Sequence, residues 1–264
     1  MLIGLGLMVW LVVSMLTMGV ICFIAAGVFS LFPNRTTHHL MWFWYIHWTM
    51  MLGWWVKKLL PGIKVTHRDP IVQSQPYVIV ANHYSWIDIV ILYTTIFTSK
   101  QSFVFVMKRS LIKLPMIGIV CWGLGHPLLY RGKARRKNIE ILTKGALKSR
   151  EYQHGILVFP EGTRYTKAAS YSEEYQSVLK PHTMGFECVM KSIGDVVPVL
   201  DVTLSYSDAG HGVWDFLCGN VGSISVYTEL HQVESQKAKE WLLSTWSKKD
   251  HWLTSKQFPN EANG

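Results

Sequence analysis

Tyr77-Val78-Ile79-Val80-Ala81-Asn82-His83-Tyr84-Ser85-Trp86-Ile87-Asp88 changes character halfway along. Tyr77 to Ala81 is a short, unbroken apolar run, the pattern of a strand covered on both faces. Asn82-His83 sits at its carboxyl end, and Asp88 follows the histidine by five positions. A strand that ends in Asn-His and leads into a helix delivers His83 to the edge where open α/β sheets bind ligands. Imidazole is the side chain best suited to accept a proton near neutral pH. A neighbouring carboxylate fixes its tautomer and stabilises the imidazolium. The same residues have a structural reading. Ser85-x-x-Asp88 matches a capping box, in which Asp88 satisfies a backbone N–H at a helix start. The stretch by itself leaves both open.

Working outward, further apolar runs read as strands: Phe103 to Met107, Pro127 to Tyr130, Ile156 to Phe159, Val196 to Leu204 and Ser223 to Tyr227. Ala134 to Tyr152 between them has helical spacing, with Ile139, Leu142 and Ala146 on one face and Arg135, Arg136, Lys137 and Lys144 largely elsewhere. Alternating strands and helices predict an α/β fold: a mixed, largely parallel central sheet flanked by helices. Pro198 inside Val196-Val197-Pro198-Val199 predicts an edge or irregular strand. Glu234 to Leu253, bearing Trp241, Leu242, Trp246 and Trp252, predicts an amphipathic helix packed on the core. There is no internal repeat and no low-complexity linker.

The composition points to lipid. Of 264 residues 49% are hydrophobic and only 16% charged, against about 25% charged in soluble domains. Met1 to Asn34 carries no charged side chain, and Leu2 to Phe32 is almost wholly apolar, longer than the roughly 20 residues that cross a bilayer. A secretory signal would open on positive charge and have a shorter apolar core. His39 to Leu60 holds Trp42, Trp44, Trp48, Trp54 and Trp55 and ends in Lys57-Lys58, the character of an interfacial helix. The expected division is therefore 1–62, membrane-embedded helices, and 63–264, an α/β domain with a C-terminal amphipathic helix. Arg35, Lys57, Lys58, Lys64 and Arg68 all follow the first apolar run, which places the α/β domain on the cytoplasmic side of the membrane. A net charge of +9 suits nucleic acid, an anionic membrane or a phosphorylated substrate. Cys22, Cys121, Cys188 and Cys218 form no C-x-x-C pair, which argues against a zinc site or redox dithiol.

Two more turns carry chemistry. Phe159-Pro160-Glu161-Gly162-Thr163-Arg164 follows the apolar run Gly155 to Val158. Pro160 stops the strand, Gly162 permits a tight turn, and Thr163 with Arg164 offers a hydroxyl and a guanidinium suited to phosphate. Gly125-His126-Pro127-Leu128-Leu129-Tyr130-Arg131 again delivers an arginine at a strand end, beside Lys108, Arg109 and Lys113 upstream and Lys133, Arg135, Arg136 and Lys137 downstream.

Four blocks in this order, from Tyr77 to Leu204, resemble the lysophosphatidic-acid acyltransferase family (1-acyl-sn-glycerol-3-phosphate O-acyltransferases). They are Asn82-His83-x4-Asp88, the Arg131 block, Glu161-Gly162-Thr163-Arg164 and Val196-Val197-Pro198-Val199. Leu179-Lys180-Pro181-x-x-x-Gly185-Phe186 and the segment from Trp241-Leu242 to Lys249-Asp250 are similar to a branch acting on broader lysophospholipids. The resemblance implies a glycerol-3-phosphate acyltransferase-like fold behind a two-helix membrane segment. It implies His83 as general base, oriented by Asp88. It also implies a substrate site made of Asn82, Lys108, Arg131, Glu161, Gly162, Thr163 and Arg164, in which Asn82 would support the turn geometry and the arginines would face the phosphate. No metal or cofactor is expected; acyl-CoA or acyl-carrier protein would be the co-substrate, with membrane lipids and a lysophospholipid acceptor as partners and no nucleic acid. In the second block Leu128 and Tyr130 replace the family's usual aromatic and acidic residues, which leaves other lysophospholipid acceptors open. A non-catalytic protein that only binds anionic lipid is the reading from another class.

Overall fold

In the computed structural model the described residues are 63–67, 76–96, 102–113, 121, 124–132, 134–165, 174–207 and 222–255. Scattered positions between 5 and 24 and between 42 and 54 are described as well. The described elements of the α/β part run β1 (Ile63–His67), β2 (Tyr77–Ala81), α1 (Ile87–Thr95), β3 (Phe103–Phe105), β4 (Met107–Lys108), β5 (Leu128–Leu129), α2 (Arg135–Tyr152), β6 (Gly155–Val158), α3 (Thr183–Ile193), β7 (Val196–Tyr206), β8 (Ile224–Glu234) and α4 (Ala238–Ser255). The mixed, largely parallel sheet expected from the alternation is present, in the order β1-β8-β7-β2-β6-β3. β7, β2, β6 and β3 are mutually parallel, β8 runs antiparallel to β7, and β1 is parallel to β8.

β2 and β6 are buried at every residue, which is why their sequences are continuous apolar runs rather than alternating ones. The Tyr77 ring lies across Gly155, its register partner, where an added Cβ would come within 2.5 Å of it. Three helices stack in turn, α2 on α3 and α3 on α4, and Phe186 of α3 stacks on Trp241 of α4 at 5.7 Å. Leu242 and Trp246 of α4 are fully buried, so this helix is a core element, as its apolar spacing suggested.

Several sequence expectations are corrected. The run Phe103 to Met107 divides: β3 ends at Phe105, and Met107–Lys108 pairs instead with Leu128–Leu129 in a separate two-stranded parallel sheet. The run Ser223 to Tyr227 continues as a strand to Glu234, because all eleven residues of β8 pair along β7. Pro198 lies in an interior strand rather than at an edge. It pairs only with β8, at Gln232, and the β2 ladder begins one residue later at Val199, so the missing N–H falls where β7 has a neighbour on one side alone.

The described positions between 5 and 24 and between 42 and 54 are helical. Trp42 and Tyr45 are buried, 5.4 Å from His154 and 5.6 Å from Tyr93 respectively, while Phe43, Met50 and Trp54 are exposed. Most of Leu2 to Phe32 and of His39 to Leu60 lies outside the described residues, and so does their expected insertion in a bilayer. Among the described residues no helix is long and apolar enough to cross a membrane.

Candidate active site

Three neighbouring parallel strands, β7, β2 and β6, end at the same edge of the sheet. β2 delivers Asn82 and His83, β6 delivers Phe159 to Glu161, and Tyr206 is the last residue of β7. The smaller parallel pair ends nearby, delivering Lys108 from β4 and Arg131 two residues after β5.

His83 and Asp88 meet. Nδ1 of His83 donates to Oδ2 of Asp88 at 2.8 Å, and the same oxygen accepts the backbone N–H groups of Tyr84 at 2.7 Å and Ser85 at 2.9 Å. The contacts required by the catalytic reading and by the capping reading of Ser85-x-x-Asp88 are thus both present on one carboxylate: the helix entrance fixes the group that holds the imidazole. With Nδ1 protonated against Asp88, Nε2 is the basic nitrogen, and it has no hydrogen-bond partner among the described residues. Phe159 stacks on the imidazole at 4.2 Å, which further restricts the ring.

Asn82, expected in the substrate site as a support of the turn, is fully buried and supports backbone. Its Nδ2 donates to the Leu204 carbonyl and its Oδ1 accepts the Leu204 N–H, both at 2.8 Å. The β2–β7 backbone ladder ends at Ala81↔Val202, so the asparagine amide continues it by one more rung and keeps the two strand ends together. Asn138 does the same for Tyr130, bonding its N–H and its carbonyl at 2.9 Å each, and so fixes the backbone immediately before Arg131.

Glu161, expected in the acceptor site, holds backbone. It is buried, with Oε1 accepting the His83 backbone N–H at 3.2 Å, and Oε2 has no hydrogen-bond partner among the described residues. Burial, reinforced by the nearby Asp88 charge and only partly offset by backbone N–H groups and Lys249, pushes this carboxyl up to about 8. At neutral pH it holds a proton and supports His83 from beneath. Gly162, Thr163 and Arg164 are exposed. Gly162 has φ +65°, the left-handed conformation that closes the turn, and its N–H bonds the Phe159 carbonyl at 3.0 Å.

The structure brings Lys108, Arg131 and Arg164 together electrostatically. Burial, then the charges of Arg131 and Arg164, holds the Lys108 ammonium below its usual range. Among the described residues none of the three has an ion-pair partner, an arrangement that favours an anion. Beside them, Arg109 and Lys137 both lie over the Tyr130 ring, at 4.7 and 4.5 Å.

Three features of this site were not found in the sequence. Tyr206 donates its hydroxyl to Asp88 Oδ1, from 118 residues away. The segment 176–179 borders the site: Tyr84 and Tyr165 donate to the carbonyls of Ser177 and Gln176. From the other side that segment is held by α4. Asp250 accepts the N–H groups of Gln176, Ser177 and Val178, and the Trp246 indole donates to the Leu179 carbonyl. The Lys249-Asp250 pair in the sequence was the available signal, since Lys249 is fully buried as well, bonded to Asp201 at 2.7 Å.

Chemically, this is an imidazole held at Nδ1 by a carboxylate, with Nε2 unpartnered among the described residues, beside a cationic rim, on a protein with exposed apolar helical positions. Comparisons agree in kind. A family model described as Acyltransferase matches residues 62–206. The chain is 35% identical over 114 residues to a 1-acyl-sn-glycerol-3-phosphate acyltransferase of Haemophilus influenzae, covering 42% of this chain and 46% of that protein. It is 32% identical over 148 residues to the protein of the same name from Saccharomyces cerevisiae, covering 55% and 45%. It thus spans about half the length of these curated relatives. The crystal structure of the 1-acyl-sn-glycerophosphate (LPA) acyltransferase of Thermotoga maritima superposes over 94% of this chain and 97% of that one. The TM-score is 0.56 and the identity 18%, a likeness of fold.

Proposed function

Since the chain belongs to the acyltransferase family, we propose that it transfers a fatty acyl group from a thioester donor, acyl-CoA or acyl-carrier protein, to the free hydroxyl of lysophosphatidic acid, giving phosphatidic acid. The observation that carries this reading is the His83 Nδ1–Asp88 Oδ2 bond of 2.8 Å, which leaves Nε2 as the base. Nε2 takes the proton of the acceptor hydroxyl as its oxygen attacks the thioester carbonyl. The tetrahedral intermediate collapses, the C–S bond breaks, and the imidazolium returns the proton to the departing thiolate. Asp88 stabilises the imidazolium formed in between. Lys108, Arg131 and Arg164 receive the acceptor's phosphate, the guanidiniums in bidentate fashion, and Thr163 adds a hydroxyl donor.

Acceptor and product are amphiphiles, so the reaction calls for a site at headgroup depth. The exposed apolar residues Leu5, Val9, Val13, Val20 and Ile24, together with Phe43, Met50 and Trp54, support a membrane-seated protein. The positive charge after the first apolar run supports a cytoplasmic catalytic face. Tyr130, where the family carries an acidic residue, supports a second reading in which another lysophospholipid is the acceptor.

The test is acyl transfer by the full chain in lipid vesicles, with several lysolipids and both donor carriers. Phosphatidic acid formed by the wild type and lost with His83→Ala is the expected result. Preference for a phosphate-free acceptor overturns the assignment of lysophosphatidic acid. Thioester consumption at background level in wild type and His83→Ala alike, with every acceptor, overturns the enzyme.

A further inference from the structure

We propose that Tyr206 is a positioning residue that makes the His83–Asp88 pair a three-membered relay, setting both the orientation and the basicity of His83; this rests on the function proposed above. Asp88 is fully buried, and its oxygens divide their duties. Oδ2 accepts His83 Nδ1 and two backbone N–H groups, whereas the donor to Oδ1 among the described residues is the Tyr206 hydroxyl. A buried carboxylate oxygen with no donor is costly, so a structural role is the plain alternative. The geometry adds to it. Turning the carboxylate about its χ2 bond would move Oδ2 off Nδ1, and the two ends are now held by different elements, the helix entrance at Oδ2 and β7 at Oδ1. The Asn82 amide on Leu204 carries the end of β7 alongside the catalytic turn, which is how Tyr206, two residues on, comes to Asp88.

The electronic consequence follows. A hydroxyl donated to Oδ1 draws charge from the carboxylate and weakens its hold on an imidazolium at Oδ2. Burial, with Asp88 close by, holds the Tyr206 phenol well above its ordinary range, so it remains a donor throughout the working pH. The titratable groups around the relay are Tyr84, whose ring meets Tyr206 edge-on at 5.7 Å, and Glu161, which accepts the His83 N–H. Lys249 acts on Glu161 and Asp250 on Tyr84 from α4. Removing the phenol hydroxyl leaves these in place.

The experiment uses the full chain in lipid nanodiscs, with an acyl-CoA and lysophosphatidic acid as substrates. Tyr206→Phe should lower kcat about tenfold, the equivalent of one weakened hydrogen bond to a charged group. It should also move the acid limb of kcat/KM upward by roughly half to one pH unit. In an Asp88→Asn background the same change should have no further effect. A 3-fluorotyrosine at position 206, a stronger donor of nearly the same shape, should move the limb downward and decides the matter if Tyr206→Phe does not fold. An unmoved acid limb in these variants, or an effect that simply adds to that of Asp88→Asn, overturns the proposal. The ring of His83 titrated by NMR in wild type and variant should show the same shift without any turnover. A wild type that transfers no acyl group would therefore sink the enzyme reading, while the NMR titration still decides the relay.

Discussion

Asp88 and Glu161 are two buried carboxyl groups on either side of His83, following neighbouring parallel strands, and they are treated in opposite ways. Asp88 has a donor on each oxygen and four in all, including His83 itself. Glu161 has one oxygen on the His83 backbone and the other with no partner among the described residues, and burial pushes its carboxyl up to about 8. One grips the imidazole and the other supports the main chain that carries it. The difference teaches that depth alone does not assign a role to a buried acid. The supply of donors does.

The largest expected effect tests the gripping half. His83→Ala and Asp88→Asn should each lower kcat by about 10²–10⁴-fold, measured as phosphatidic acid formed in vesicles, with unchanged thermal melting for His83→Ala. Next comes Lys249→Met, which removes one partner of the buried Lys249–Asp201 pair and should destabilise by about 3–5 kcal/mol in denaturant unfolding. Lys249 is also a cation that lowers the Glu161 carboxyl, so the folded variant should carry that group higher still. Arg164→Ala should raise KM for a phosphate-bearing acceptor by about 10–100-fold, the value of a hydrogen bond to a charged group, and leave a phosphate-free acceptor nearly unaffected.

The smallest effects sharpen the supporting half. Glu161→Gln should keep most of its activity at pH 7, because the glutamine reproduces a protonated acid, whereas Glu161→Ala should lose about tenfold with its hold on the His83 N–H. Glu161 also predicts a pH dependence. Its folded value of about 8 stands above the ordinary 4.5, so between these the folded chain holds a proton that the unfolded chain has lost. Its contribution is full below pH 4.5 and falls as pH rises through 8, by up to about 1.4 kcal/mol per unit. Unfolding free energies of wild type and Glu161→Gln compared across pH 5 to 8 should show that slope only in the wild type.

What could be read in the sequence was whatever depends on near neighbours. The stretch from Tyr77 to Asp88 announced a doubly covered strand, and His83 met Asp88 because only a turn separates them. The cationic rim was legible for a similar reason, since Lys108 ends a strand and Arg131 and Arg164 each follow one within a short turn. The amphipathic spacing of α4 foretold a packed helix. Partners 70 or more residues away were not legible: Glu161 under the His83 backbone at a separation of 78, Tyr206 on Asp88 at 118 and Asn82 on Leu204 at 122. Glu161 is therefore expected to face a substrate and holds backbone instead, while the turn support expected of Asn82 comes from a strand that the sequence does not place beside it.

The sequence by itself determined which runs are strands, which face of each helix is apolar, and that a histidine and a carboxylate share one turn. These follow from periodicity, burial and local hydrogen bonding, which act over a few residues. Only the tertiary structure decided that β7, β2 and β6 lie side by side, and hence that Asp88 gains its Tyr206 hydroxyl while Glu161 is left with an oxygen that has no partner among the described residues. Strand order is settled by which apolar faces cover one another over the whole domain, and a carboxyl group's charge depends on the donors that this order brings to it.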